Sequence, residues 1–313
     1  MRNKLRIIMA YLLFAALLAL IPIGIARHML SVSREDAFVP DKPNYLAHQY
    51  PPKGKAELTA KLSSLLDKDM HAMEEVPRVY LTRLPDILPA IPNANEKKRL
   101  FMSAMLPIIL RSNELIIADR GRLLGLREKI EQKDTLNTAE RDWLKKTAKT
   151  YRVKLDETLS VQSIEALLYK IDVVPVSLAI AQAAIETGWG TSKFAQQCNA
   201  LFGQWTWNSA DDGCVPDARE EGKTHRIKKF DYLLDSVSSY MTNLNRHASY
   251  AELRRRRAEL REHSLILTGA ALAPALLEYS ERGTAYVNDI LSIINYNELG
   301  GLDNAALATN TTS

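Results

Sequence analysis

The sequence predicts a mainly α-helical protein with a small β-hairpin, and three observations lead there. Apolar, helix-favouring runs cover residues 95–130, 137–148 and 174–186. Strand-like character appears at residues 223–230, behind the turn residues Asp211-Asp212-Gly213 and Glu220-Glu221-Gly222. Proline and glycine punctuate the helical runs where helix starts and stops require them, as with Pro175 before and Gly188 and Gly190 after the 174–186 run. With 313 residues, 46% of them hydrophobic, the chain has material for one to three domains with a sizeable core.

Taken in order, Arg2, Lys4 and Arg6 precede an apolar stretch over residues 7–21, then Pro22 and Gly24-Ile25-Ala26. Residues 1–26 therefore read as a signal peptide cleaved after Ala26, or as an uncleaved signal anchor if the apolar run is extended to that residue. Either way the remainder is expected to be exported, to the periplasm, either soluble or held at the inner membrane. Residues 27–54, with Pro40, Pro43, Pro51 and Pro52, read as a linker. Residues 55–152 are expected to form a helical N-terminal region. Within it, Pro77, Pro85, Pro89 and Pro92 mark a folded-over connector, and the 95–130 run is expected to be interrupted at Pro107. Asn137-Thr138-Ala139-Glu140 resembles a capping box that opens a helix through Trp143 and Ala148. Residues 301–313 read as a flexible tail.

The net charge of +4 is an electrostatic bias rather than a recognition signal. Arg254-Arg255-Arg256-Arg257, set between Leu253 and Leu260, reads as the solvated side of a helix in preference to a polyanion site. The six histidines are scattered, and no Cys-x-x-Cys or His-Glu-x-x-His pattern occurs. Neither a metal site, a cysteine nucleophile nor a cofactor is expected, and no nucleic-acid partner. Cys198 and Cys214 flank Phe202-Gly203-Gln204-Trp205-Thr206-Trp207. In an oxidising compartment they can close a disulfide loop worth roughly 3 kcal/mol, the alternative being two unpaired small core residues.

Glu186 is the leading candidate for chemistry. It falls in the last turn of the 174–186 helix, and its neighbours at helical spacing are Ala179, Gln182 and Ala183. Desolvation and the negative end of the helix dipole both disfavour its charged form, which suits a general acid working near neutral pH. The competing reading is a surface glutamate at a fraying helix end.

The run Ala-Gln-Ala-Ala-Ile-Glu-Thr-Gly-Trp-Gly-Thr-Ser, ending at Ser192, and Asn199-Ala200-Leu201-Phe202-Gly203 resemble the signature of the glucosaminidase family of peptidoglycan hydrolases, glycoside hydrolase family 73. The blocks from Phe230 to Tyr240 and from Tyr279 to Tyr286 are similar, in the same order, to that family's late Phe-x-x-Tyr-x-Ser and Tyr-Ala-Thr-Asp-x-x-Tyr blocks. The resemblance spans roughly residues 160–298. Phe202-Gly203-Gln204-Trp205-Thr206-Trp207 and the longer N-terminal region are similar to the Bax group of Gram-negative bacteria within that family. It implies a lysozyme-like helical catalytic domain at residues 153–300, preceded by the N-terminal helical region, and cleavage of β-1,4 bonds in the glycan strands of peptidoglycan by an endo-β-N-acetylglucosaminidase. Glu186 would be the general acid, and a β-lobe would carry a second acid, with Glu221 the preferred match and Glu220 the runner-up. Alternatively, the substrate's own acetamido oxygen supplies the nucleophile. Trp189, Trp205, Tyr279 and Tyr286 are the candidates for contact with sugar faces, Phe202 reads as core, and Trp189 reads equally as a plug fixing the angle of Glu186. Two other functions stay open at this point, a lytic transglycosylase and a non-catalytic glycan-binding scaffold. The expected partners are the glycan strands and, if the first segment is uncleaved, the inner membrane.

Overall fold

A computed structural model describes residues 75–206, 212–215 and 226–309, together with the backbone of residues 49 and 50. The signal segment 1–26, the rest of the linker 27–54, residues 55–74, Trp207, both Glu220 and Glu221, and the last four residues lie outside the described residues.

The fold is mainly α with a small β lobe. Its axis is α1, Ala94–Glu131, which begins at Asn93, whose side chain accepts from the amides of Asn95 and Glu96. Residues 100–110 are buried on every side, and α1 packs against α3 (Val161–Lys170), α4 (Val176–Thr187) and α6 (Leu233–Arg246). The expected interruption at Pro107 does not occur, since the helix runs straight through it. An interior proline costs roughly 3 kcal/mol. Burying Phe101, Met105, Ile108 and Ile109 completely contributes about 1.5–3 kcal/mol each, so packing outweighs the lost hydrogen bond. By length and composition α1 could cross a membrane, but 72% of its apolar window is buried inside the protein, as befits a core helix.

The capping box predicted at Asn137 and Glu140 forms, and opens α2, Thr138–Tyr151. Leu144, Ala148 and Tyr151 face the core from this helix. Short helices follow: α5 (Lys193–Cys198), α7 (Ala251–Glu262), α8 (Gly269–Leu272) and α9 (Thr284–Tyr296). One hydrophobic core extends from Val76 to Leu307. Residues 301–307, assigned to the tail on sequence grounds, contain buried Leu302 and Leu307. There β7 (Ala306–Leu307) pairs in parallel with β2 (Glu75–Val76). β1 (Gln49–Tyr50) pairs in parallel with β3 (Tyr80–Leu81).

The arginine run departs from its expected role as a solvated face. Arg254 and Arg257 are buried, and their guanidinium groups donate to carbonyls: Arg254 to Leu244 and His247, Arg257 to Lys170, Asp172 and Val173. Arg255 alone of the paired residues behaves as a surface group, bonding Glu252 and Glu259 along the helix. A run of like charges winds around a helix, so members three apart, here Arg254 and Arg257, meet the core together, where loop carbonyls need donors.

The β lobe is a three-stranded antiparallel sheet rather than a simple hairpin. β6 (Arg226–Lys228) lies between β4 (Trp205–Thr206) and β5 (Gly213–Cys214). Gly213, expected in a turn, is a strand residue because it passes so close to β6 that a Cβ there would lie 2.6 Å from that of Arg226.

Candidate active site

The site is organised by α4. Its alanines 179, 181, 183 and 184 are all buried, and small side chains let α1, α8 and α9 approach closely. The helix starts at Pro175, which provides no side-chain cap. Asp303 supplies one from a distance: its carboxylate accepts from the Ser177 amide at 2.8 Å, the Ser177 hydroxyl at 2.7 Å and the Gly269 amide at 3.0 Å. At the other end, Gly188, Trp189 and Gly190 are successively left-handed, with φ of 58°, 59° and 78°. Gly190 has no alternative, since a Cβ would stand 2.8 Å from the ring of Phe101. The chain thus breaks sharply away one residue after Thr187 and leaves Glu186 in the final turn.

Glu186 is only partly exposed, and burial raises its pKa. The hydroxyl of Tyr286, which donates to Oε1 at 2.9 Å, and the more distant charge of Arg282 pull the other way without overcoming it. Oε2 faces Gly203, whose Cβ, if it had one, would lie 3.4 Å away. Tyr279 stacks on Tyr286 with centroids 5.5 Å apart, and Tyr250 lies 5.8 Å from Tyr279. Phe202 stacks on Tyr240 at 3.8 Å, a core role that keeps the adjoining Gly203 in position. Burial and the neighbouring glutamate both push the hydroxyls of Tyr240, Tyr250, Tyr279 and Tyr286 upward, so all stay neutral.

Cys198, the last residue of α5, and Cys214 of β5 are joined by a disulfide. Together with the backbone bond from the Phe230 amide to the Cys198 carbonyl at 2.9 Å, it ties the β lobe to the helical body. Trp205 belongs to this lobe, opposite Ile227 and against the small cluster of Cys198, Ala200 and Ile227. The Trp189 ring meets Phe101 edge-on at 5.8 Å, with the Lys98 ammonium 5.0 Å from its centroid, so it anchors the turn to α1. Of the sequence-predicted residues, Glu186, Tyr279 and Tyr286 come together, Trp189 and Trp205 pack on separate elements, and Glu221 lies outside the described residues. Among the described residues no cluster of histidine, cysteine and carboxylate side chains could hold a metal ion.

The glucosaminidase family model, described as mannosyl-glycoprotein endo-beta-N-acetylglucosaminidase, matches residues 161–299. The protein Bax of Escherichia coli K12 is 34% identical over 215 residues, covering 69% of this chain and 74% of that protein. The chain belongs to the glucosaminidase family. No solved structure matches it.

The family match runs from the start of α3 to the end of α9, so in this glucosaminidase-family chain α1 and α2 lie outside the matched region, as does Asp303. Three residues at the site escape sequence reasoning. Gln182 is one turn before Glu186 on the same face, and a lone amide in an apolar, alanine-rich helix was its available signal. Tyr240 and Gly203 gave weaker ones, being the last residue of one recognised block and the glycine of another. Nothing in the spacing shows that Tyr240 and Gln182 touch.

Proposed function

We propose that the chain is a peptidoglycan hydrolase that cuts β-1,4 glycosidic bonds in the glycan strand as an endo-β-N-acetylglucosaminidase, with Glu186 as general acid. One observation carries the reading: a carboxyl group raised in pKa by burial, supported by a tyrosine hydroxyl at Oε1 and open toward a glycine at Oε2. Membership of the glucosaminidase family supports a glycosidase acting on glycan. Glu186 protonates the leaving glycosidic oxygen as the bond to the sugar breaks. The second role falls to Glu221, or to its neighbour Glu220, in the sequence between β5 and β6, which activates water or stabilises the oxocarbenium-like state, unless the acetamido oxygen of the substrate takes it. Tyr279 and Tyr286 offer apolar faces and hydroxyls beside the acid.

In this reading residues 153–300 perform the chemistry and the N-terminal helices brace them. The first 26 residues direct the chain to the periplasm, where it works free or tethered to the inner membrane.

The test uses purified peptidoglycan glycan strands and analysis of the new ends. Reducing N-acetylglucosamine ends that vanish in Glu186→Gln support the proposal. 1,6-anhydro ends would replace it with a lytic transglycosylase, and binding without release, equal in the variant, with a scaffold.

A further inference from the structure

A chain of three hydrogen bonds stands behind Glu186, and its direction is determined by chemistry. The Tyr240 hydroxyl is 2.6 Å from Gln182 Oε1, Gln182 Nε2 is 3.1 Å from the Tyr286 hydroxyl, and that hydroxyl is 2.9 Å from Glu186 Oε1. An amide oxygen only accepts and an amide nitrogen only donates, whereas a phenol has a single proton. Tyr240 therefore donates to Gln182, Gln182 donates to Tyr286, and the one proton of Tyr286 is left for Glu186. Turning the amide over would reverse the chain, but the proton of buried Tyr240 would then lose the acceptor it has among the described residues. Gln182 is 0% exposed and Tyr240 and Tyr286 are each 2% exposed, so bulk water does not compete for these bonds.

The consequence falls on the two oxygens of Glu186. Oε1 always receives a proton from Tyr286 and is poorly placed to carry one of its own. Among the described residues Oε2 has no such donor, and it lies toward Gly203, where the absence of a side chain leaves an approach.

We propose that Gln182, oriented by Tyr240, is a positioning residue that keeps Tyr286 a permanent donor to Oε1, so that Glu186 delivers its proton from Oε2 to a glycosidic oxygen arriving from the Gly203 side. The proposal rests on the reading of Glu186 as the general acid. During the step the O–H bond of Oε2 breaks, its proton passes to the leaving sugar oxygen, and the resulting carboxylate keeps the hydrogen bond from Tyr286, which stabilises the charge as it forms. The groups facing Glu186 are Tyr286 on α9, Tyr240 on α6, Tyr250, Tyr279 and the charge of Arg282, which is itself paired with Asp289 at 2.5 Å. The tyrosines are neutral, so relay direction is the property that Gln182 controls.

The experiment follows the side-chain carboxyl of Glu186 by NMR in protein labelled with carbon-13 glutamate, its signal assigned by its loss in Glu186→Gln, and follows glycan cleavage in parallel. In Gln182→Met the Tyr286 hydroxyl keeps Glu186 as its acceptor but loses the donor that polarises it, so the titration of Glu186 is expected to move up by about half a pH unit. The alkaline limb of the cleavage profile should move with it, with kcat about 3-fold lower and KM unchanged. Tyr240→Phe keeps the stack on Phe202 and frees the amide to turn and take the Tyr286 proton, so it should shift the titration in the same direction by up to about one pH unit, the value of one lost hydrogen bond to a carboxylate. It also serves as the test if Gln182→Met does not fold. An unchanged Glu186 titration in a folded variant, whatever its activity, overturns the proposal. If wild-type protein cleaves no glycan, the general-acid reading is lost, while the titrations still decide whether the relay polarises Glu186.

Discussion

Asp172 and Glu186 are both carboxylates withdrawn from water, yet the protein drives them in opposite directions. At Asp172, which is 4% exposed, burial pushes the pKa up, but the bidentate Arg261 at 2.9 Å and the charges of Arg257 at 3.9 Å and Arg120 at 3.8 Å prevail and hold it below the usual carboxylate range. At Glu186 burial acts in the same sense, the hydrogen-bond donor is a neutral phenol, and the cation that acts on it, Arg282, is engaged with Asp289 at the surface. Burial therefore wins and the pKa rises. Desolvation makes a carboxylate sensitive to its surroundings, and the formal charge of its partners decides the sign. Asp172 is a permanent anion that gathers three arginines beneath the loop before α4; Glu186, at the far end of α4, is poised to release a proton.

The widest separation between the two should appear in activity. Glu186→Gln is expected to reduce release of reducing ends from glycan by about 10³-fold or more, whereas a folded Asp172 variant retains its rate per molecule. In stability the order reverses. Asp172→Ala leaves the fully buried Arg257 without its counter-ion and should lower the free energy of unfolding in urea by about 3–5 kcal/mol. A loss below about 1 kcal/mol would mean that the carbonyl acceptors of Arg257 suffice by themselves.

Removing the phenol hydroxyl makes a smaller change. In Tyr286→Phe, Glu186 loses its donor, so the alkaline limb of the cleavage profile should move up by about one pH unit and the plateau rate should fall about 10-fold. A limb that stays in place would show that Tyr286 acts on the sugar and not on the acid.

The least effect, and the clearest in sign, concerns stability against pH. Asp172 has a depressed folded pKa, so its contribution is present above the ordinary carboxylate value and is lost as pH falls through the folded value. Glu186 has a raised folded pKa, so the folded state binds its proton more readily, and this contribution fades as pH rises through the folded value. At neutral pH Glu186→Gln should therefore unfold at higher urea than wild type, by about 1 kcal/mol. A less stable Gln variant would contradict a strained, desolvated carboxyl.

The two carboxylates also differ in how visible they are in the sequence. Glu186 stands out because a charged residue ends a run of apolar and small ones just before Gly188-Trp189-Gly190, a local pattern that the 3.6-residue helix converts directly into position. The capping box at Asn137 and the helix opened at Pro175 are legible for the same reason, since each depends on residues within one turn. Asp172 has no such signature. Its arginines come from positions 120, 257 and 261, and nothing in Arg254-Arg255-Arg256-Arg257 tells which of the four will meet the core. Pro107 misleads by the same logic, because the local rule that breaks a helix there is outweighed by burial on every side.

The sequence by itself determined the helical runs of α1, α2 and α4, the capping box of α2, the acid at the end of α4 and the family to which the blocks belong, because all of these follow from short-range periodicity and from residues a few positions apart. The tertiary structure decided the proton's environment. Gln182, Tyr240 and Tyr286 are brought into one line from α4, α6 and α9, and Asp303 caps α4 from 126 positions away. Such contacts depend on the angles at which helices pack, and those emerge only when the whole core closes around them.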